Sequence, residues 1–220
     1  MEPLNSGDIT PFHTFDPMQG FAAAELADML DSVRNGEDDP FGTLSNTHPS
    51  TAKKLESEGV VLSNGRTGIE WDDATILFIA LKATQENGSP AEPLDKGVSM
   101  ERLGRFPSSD GNAIGYLRAF LIPVTEDDEG SQLLRQLDGG LRKETRGHDM
   151  LSIGFGGLSL HGWLTTDEVT ILRLYLQKSP WKVSKNEAFD GGVRDVVRHL
   201  LIMLKTAEKR GMGILMRSHD

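Results

Sequence analysis

Cysteine is absent from the 220 residues, which removes disulfide frameworks, thiolate zinc sites, iron–sulfur clusters and cysteine nucleophiles together. No apolar run approaches the roughly 20 residues of a membrane span, and Met1 to Asp16 has neither a basic start nor an apolar stretch of the kind a secretion signal needs. A cytoplasmic protein with no membrane partner is the expectation. Tryptophan is scarce, and Trp71, Trp163 and Trp181 are read as core anchors rather than binding hot spots. The 6 histidines are scattered, with no pair at i+2 or i+4 to begin a ligand set, so neither a metal nor any other cofactor is expected.

What is abundant is negative charge, and it is unevenly placed. Residues 1–140 hold 10 Lys+Arg against 24 Asp+Glu, while residues 141–220 hold 13 against 9, within a formal net charge of -10. Such a field repels phosphate backbones and draws basic proteins. Nucleic acid is therefore not an expected partner, and a basic protein is. The carboxylates that stand together are Glu37, Asp38 and Asp39, then Asp72 and Asp73, then Glu126, Asp127 and Asp128, followed by Glu129. None follows the order of a calcium loop, so they are read as a partner-binding surface.

Hydrophobic residues at 37% and charged residues at 25% suit one folded domain. The pattern predicts an irregular arm over residues 1–15, followed by a single compact α+β domain over 16–220, with several helices packed on a small, mostly antiparallel sheet. A helix is expected from Asp16-Pro17 to Val33, a short helix from Ser50 or Thr51 to Glu58, and a hairpin around Asn64-Gly65. Ala74 to Thr84 reads as a buried helix with Asp72 and Asp73 at its positive end, and Ile114 to Val124 as an edge strand. Met150 to Leu160 reads as a hairpin turning at Gly156-Gly157. Thr165 and Glu168 have capping-box spacing, a spacing that Ser184 and Glu187 repeat. The stripe from Val193 to Ala207 is strongly amphipathic, and Gly213 to Arg217 reads as a terminal strand.

Chemistry-bearing clusters are few. The glycines from Gly154 to Gly162 lack the Lys-Ser/Thr of a phosphate loop and the spacing of a dinucleotide fingerprint. Ser159 and His161 lack a nucleophile elbow. His148, Asp149 and His161 are the alternative site, for a hydrolase or transferase, should they converge. The favoured reading is a non-enzymatic, acidic protein-binding module, of the type an immunity protein or antitoxin-like inhibitor presents to a basic partner.

Overall fold

A computed structural model describes residues 12–19, 23–37, 39–95, 97–125, 128–145 and 147–219. In chain order the elements are β1 (Phe12–Met18), α1 (Ala23–Arg34), α2 (Leu44–Thr47), α3 (Pro49–Ser57), α4 (Asp73–Leu81), α5 (Val98–Gly104), α6 (Ala113–Phe120), β2 (Leu121–Ile122), α7 (Glu129–Gly139), β3 (Leu158–Leu164), α8 (Thr166–Lys178), β4 (Lys182–Val183), α9 (Gly192–Lys209) and β5 (Gly213–His219). The expected α+β class is what forms. None of the described helices is long and apolar enough to cross a membrane.

The C-terminal strand is the centre of the molecule. β5 pairs antiparallel with β1 on one side and β3 on the other, and its side chains alternate between two cores. Ile214 and Met216 face a core built with α6, α7, α8 and α9, while Leu215 joins a second core with α1, α3 and α4. All three are fully buried. Covered on both faces, β5 has no polar alternation over these residues, as expected of a doubly buried strand.

The best-written local signals form as expected. Thr165 and Glu168 make a reciprocal capping box, with Thr165 N–H donating to Glu168 Oε2 at 2.7 Å and Glu168 N–H to Thr165 Oγ1 at 3.4 Å. Asp72 caps α4 by accepting the Thr75 N–H at 2.8 Å. The predicted stripe of α9 is buried at Val193, Val196, Val197, Leu200, Leu204 and Ala207.

Five local expectations are corrected. Phe12 to Phe15, assigned to the irregular arm, form the first half of β1, and Asp16 and Pro17 continue that strand instead of opening a helix. Asp16 pairs across the ladder with Arg217 at 2.5 Å, and Pro17 is tolerated because β1 is an edge strand. Residues 1–11 and Phe21, part of the expected arm and helix, lie outside the described residues. Ile114 to Phe120 is helical: Asn112 caps α6 by accepting the Gly115 N–H at 2.8 Å, and Ala113, Ile114, Tyr116 and Leu117 bury at helical spacing. Only Leu121 and Ile122 are extended, where Pro123 disfavours the helical region for the residue before it. The Asn64-Gly65 hairpin is replaced by two short 3-10 turns, because Arg66 is held by Asp39 and Asp73 rather than by a partner strand. The Met150 to Leu160 hairpin shrinks to a single Ile153–Ser159 bridge between 3-10 turns, although Gly156 and Gly157 do take the positive φ expected of the turn. Glu187 belongs to no second box; its carboxylate accepts the Val193 N–H of α9 at 2.5 Å.

Candidate functional site

The structure gathers part of the acidic sequence around one arginine. Arg66 donates from its backbone N–H to Asp39 and from Nε to Asp73, each at 2.5 Å, and from Nη2 to the Trp71 carbonyl at 2.8 Å. Asp73 also pairs with Arg34 of α1 at 2.5 Å. Asp39 additionally accepts the Phe41 N–H at 3.0 Å. Asp72 accepts both the Thr75 hydroxyl at 2.7 Å and, from a distant part of the chain, the Phe155 N–H at 3.2 Å. These hydrogen bonds hold the Asp72 carboxyl below the ordinary carboxylate value against the opposing pull of its partial burial.

The Asp72–Phe155 bond sets the loop of residues 150–157 against the start of α4, beside Trp71. The side chains there are large and uncovered: Trp71 is 41% exposed, Met150 63%, Ile153 75% and Phe155 76%. An exposed aliphatic residue is ordinary, whereas exposed aromatics at Trp71 and Phe155, brought near one another by the Asp72–Phe155 bond, with Met150 and Ile153 exposed on the same loop, have the composition of an interface core. Acids stand next to these side chains in the sequence. Glu70 and Asp149 are exposed. Behind the loop, His148 is buried between two carboxylates of α1, with Nδ1 bonded to Asp31 and Nε2 3.4 Å from the exposed Asp28. Against these carboxylates stand Arg34 and Arg66, both spent on Asp73.

The remaining candidate residues are placed elsewhere. Glu37 is exposed just beyond α1. Asp128 caps α7, accepting the Ser131 N–H at 2.7 Å, far in the chain from Arg66. Asp38, Glu126 and Asp127 lie outside the described residues. Trp163 is the core anchor expected, 1% exposed, and Trp181 packs partly buried against the core; Trp71 is the exception.

The contacts of His148 and His161 fall in different parts of the fold. His148 bonds to α1, whereas His161 lies 3.2 Å from the Asp138 carbonyl through Nδ1 and 3.0 Å from Ser218 Oγ through Nε2. A carbonyl only accepts, so neutral His161 carries its proton on Nδ1 and accepts the Ser218 hydroxyl.

One serine–histidine–aspartate alignment does occur, at positions the sequence does not single out. Ser99 Oγ is 2.8 Å from His199 Nδ1, and His199 Nε2 is 3.6 Å from Asp195. Ser99 and His199 are both buried. Nε2 also lies 3.2 Å from the Arg198 guanidinium, which can only donate, so the ring proton sits on Nδ1 and is donated to Ser99. That is the reverse of what a general base for a serine nucleophile requires.

Burial lowers the His199 imidazole below its ordinary value; Asp195 and Asp95 oppose this, while Arg198 and Arg102 reinforce it. The sign follows from linkage. A histidine that is harder to protonate when folded stabilises the fold fully above its unfolded value near 6.5, and that contribution is lost as pH falls toward the depressed folded value. Denaturant midpoints of the native chain and of His199→Gln, compared between pH 7.5 and 5, are expected to show a shallower acid-side loss in the variant. Parallel profiles would exclude His199 as a source of acid sensitivity.

Neither a family model, nor a curated relative, nor a solved structure matches this chain.

Proposed function

We propose that this chain is a non-enzymatic protein-binding module that docks a basic partner on the surface formed by Trp71, Met150, Ile153 and Phe155. The observation that carries the reading is the Asp72–Phe155 hydrogen bond, which sets an exposed apolar loop by the exposed Trp71, with the exposed carboxylates Glu70 and Asp149 next to them in the chain. The apolar side chains supply contact area to be removed from water, and Trp is among the residues that most often dominate binding energy. The carboxylates Asp28, Glu70 and Asp149 steer and orient a positively charged protein. The negative balance of residues 1–140 extends that field beyond them. An inhibitor or immunity protein directed at a basic toxin has these requirements: a folded scaffold, a complementary charge and no catalytic group. We place this activity in the cytoplasm, where a chain with no cysteine holds its fold by packing alone.

The test is capture from the native host with the tagged chain, at low and high salt, beside a Trp71→Ser/Phe155→Ser variant. Both side chains are exposed, so the variant should keep its thermal stability within about 0.5 kcal/mol, as surface changes usually do. A basic protein retained by the native chain, weakened by salt and bound on the order of 30-fold more weakly by the variant is the expected result, since two hot-spot side chains are removed. Retention that is unchanged in the variant, or a partner without basic character, would refute the reading.

A further inference from the structure

A groove of about 1080 Å³ runs between α3, the turn of residues 84–88 and the start of α8. It is lined by hydroxyls, carboxamides and charged groups, including Ser57, Glu58, Thr84, Thr165 and Thr166, and Lys54 lies in its wall. This groove shares no lining residue with the surface at Trp71 and Phe155.

Lys54 is held in an unusual way for a groove lysine. Its Nζ donates to the Ala80 carbonyl at 2.9 Å and to the Lys82 carbonyl at 2.8 Å, at the C-terminal end of α4. Two acceptors are what a neutral amine, with two N–H groups and one lone pair, can satisfy completely. The fourth tetrahedral position on nitrogen then carries a third N–H in the ammonium form or the lone pair in the amine form, and neither carbonyl bond has to break for the proton to leave. Among the described residues no carboxylate pairs with Lys54. The nearby Glu58 is spent on Lys82, 2.8 Å from its Nζ. Burial, and secondly the positive charge of Lys82, bring the Lys54 ammonium down to about 8, so a usable fraction is free amine near neutral pH.

We propose that this groove is a binding site for small, polar carbonyl compounds, which Lys54 captures as an imine. The amine lone pair adds to the carbonyl carbon and the carbonyl oxygen takes up a proton from solvent. That oxygen then leaves as water with a proton from nitrogen, and a carbon–nitrogen double bond remains. The protonated imine keeps one N–H, enough for one of the two carbonyls. The hydroxyls of Ser57, Thr84, Thr165 and Thr166 suit a ligand bearing hydroxyl groups of its own.

Glyceraldehyde with cyanoborohydride, which reduces an imine to a stable amine, tests this on the native chain by peptide mass spectrometry. At pH 7, Lys54 is expected to be labelled at least about tenfold faster than the exposed Lys209 of α9, because burial and the Lys82 charge hold the Lys54 ammonium below the ordinary lysine value. Its rate should saturate with aldehyde concentration while that of Lys209 rises linearly. The pH–rate profile of Lys54 should turn over near 8 and move to higher pH in Lys82→Met, which removes the neighbouring charge. Labelling of Lys54 no faster than Lys209 would overturn the reactive amine. A linear concentration dependence would overturn the site even if the amine were reactive.

Discussion

Gly162→Ala is expected to lower stability by about 3 kcal/mol, at the upper end of what overpacking normally costs. A Cβ at this position would stand 2.1 Å from the Gln136 carbonyl oxygen, 2.8 Å from the Gly140 nitrogen and 3.0 Å from the Leu137 carbonyl oxygen. All three are backbone atoms at the end of α7, so no rotamer change relieves the contact. Gly162 lies at the register shift of β3, where the last turn of α7 rests on the strand and Leu141 N–H reaches the His161 carbonyl at 3.2 Å. Moving the helix away would loosen Leu133, Leu134 and Leu137 from the core. For a chain of this length the loss corresponds to a fall in Tm of roughly 10 °C. Gly147→Ala is the control. Its φ of +80° makes any side chain strained, but nothing lies within 4 Å, so a cost of only about 1 kcal/mol is expected. Equal melting temperatures for the two variants would show that α7 and β3 do not approach as closely as described.

The second large effect is expected at Arg118. Its Nη1 pairs with Asp138, whose side chain is 4% exposed, and the Asn112 amide supplies the other contact to that carboxylate. Arg118 itself is 31% exposed, so it forms the solvent-facing half of a largely buried pair. Arg118→Met keeps much of the packing but leaves a carboxylate in the interior with one neutral donor. Removing one partner of such a pair costs several kcal/mol because the other charge stays buried, and the partial exposure of Arg118 places the expectation near the low end, at about 3 kcal/mol. Adding Asp138→Leu should recover most of that loss, since the uncompensated charge is then gone. Urea denaturation of the native chain, the single variants and the double variant would check this. A double variant as unstable as the sum of the two singles would mean the pair is not coupled.

These two sites differ in how they could have been found. Nothing around Gly162 in the sequence marks it out from its neighbours Gly156 and Gly157, which do form the expected turn. Its requirement for glycine comes from the backbone of α7, more than 20 residues earlier. Asp138 and Arg118 are likewise 20 positions apart, beyond the reach of any helix-face spacing. The candidate interface is a mixed case. Asp39, Asp72 and Asp73 are visible as acidic runs, but their convergence on Arg66 and the placing of Phe155 beside Trp71 depend on hydrogen bonds between distant segments. Phe155 itself was hidden by reading 150–155 as a strand, since a strand of a paired hairpin would have had neighbours to cover it.

Local chemistry in this chain is written within a few residues. The Thr165–Glu168 box, the Asp72 cap of α4 and the stripe of α9 each rest on hydrogen bonds or periodicities that close within one or two turns, so the sequence alone determined them. The pattern of elements along the chain likewise determined the α+β class, and the charge count the acidic field. Tertiary structure decided the rest. Phe12 to Met18 is a strand because β5, some 200 residues later, offers it a ladder of partners from His219 to Gly213. Ile114 to Phe120 is a helix because the cap by Asn112 and burial at helical spacing outweigh the strand preference of its aromatic and branched side chains. The exposed loop at Phe155 and the groove at Lys54 exist only once α4 has brought its two ends to them, Asp72 to the loop and the carbonyls of Ala80 and Lys82 to the lysine.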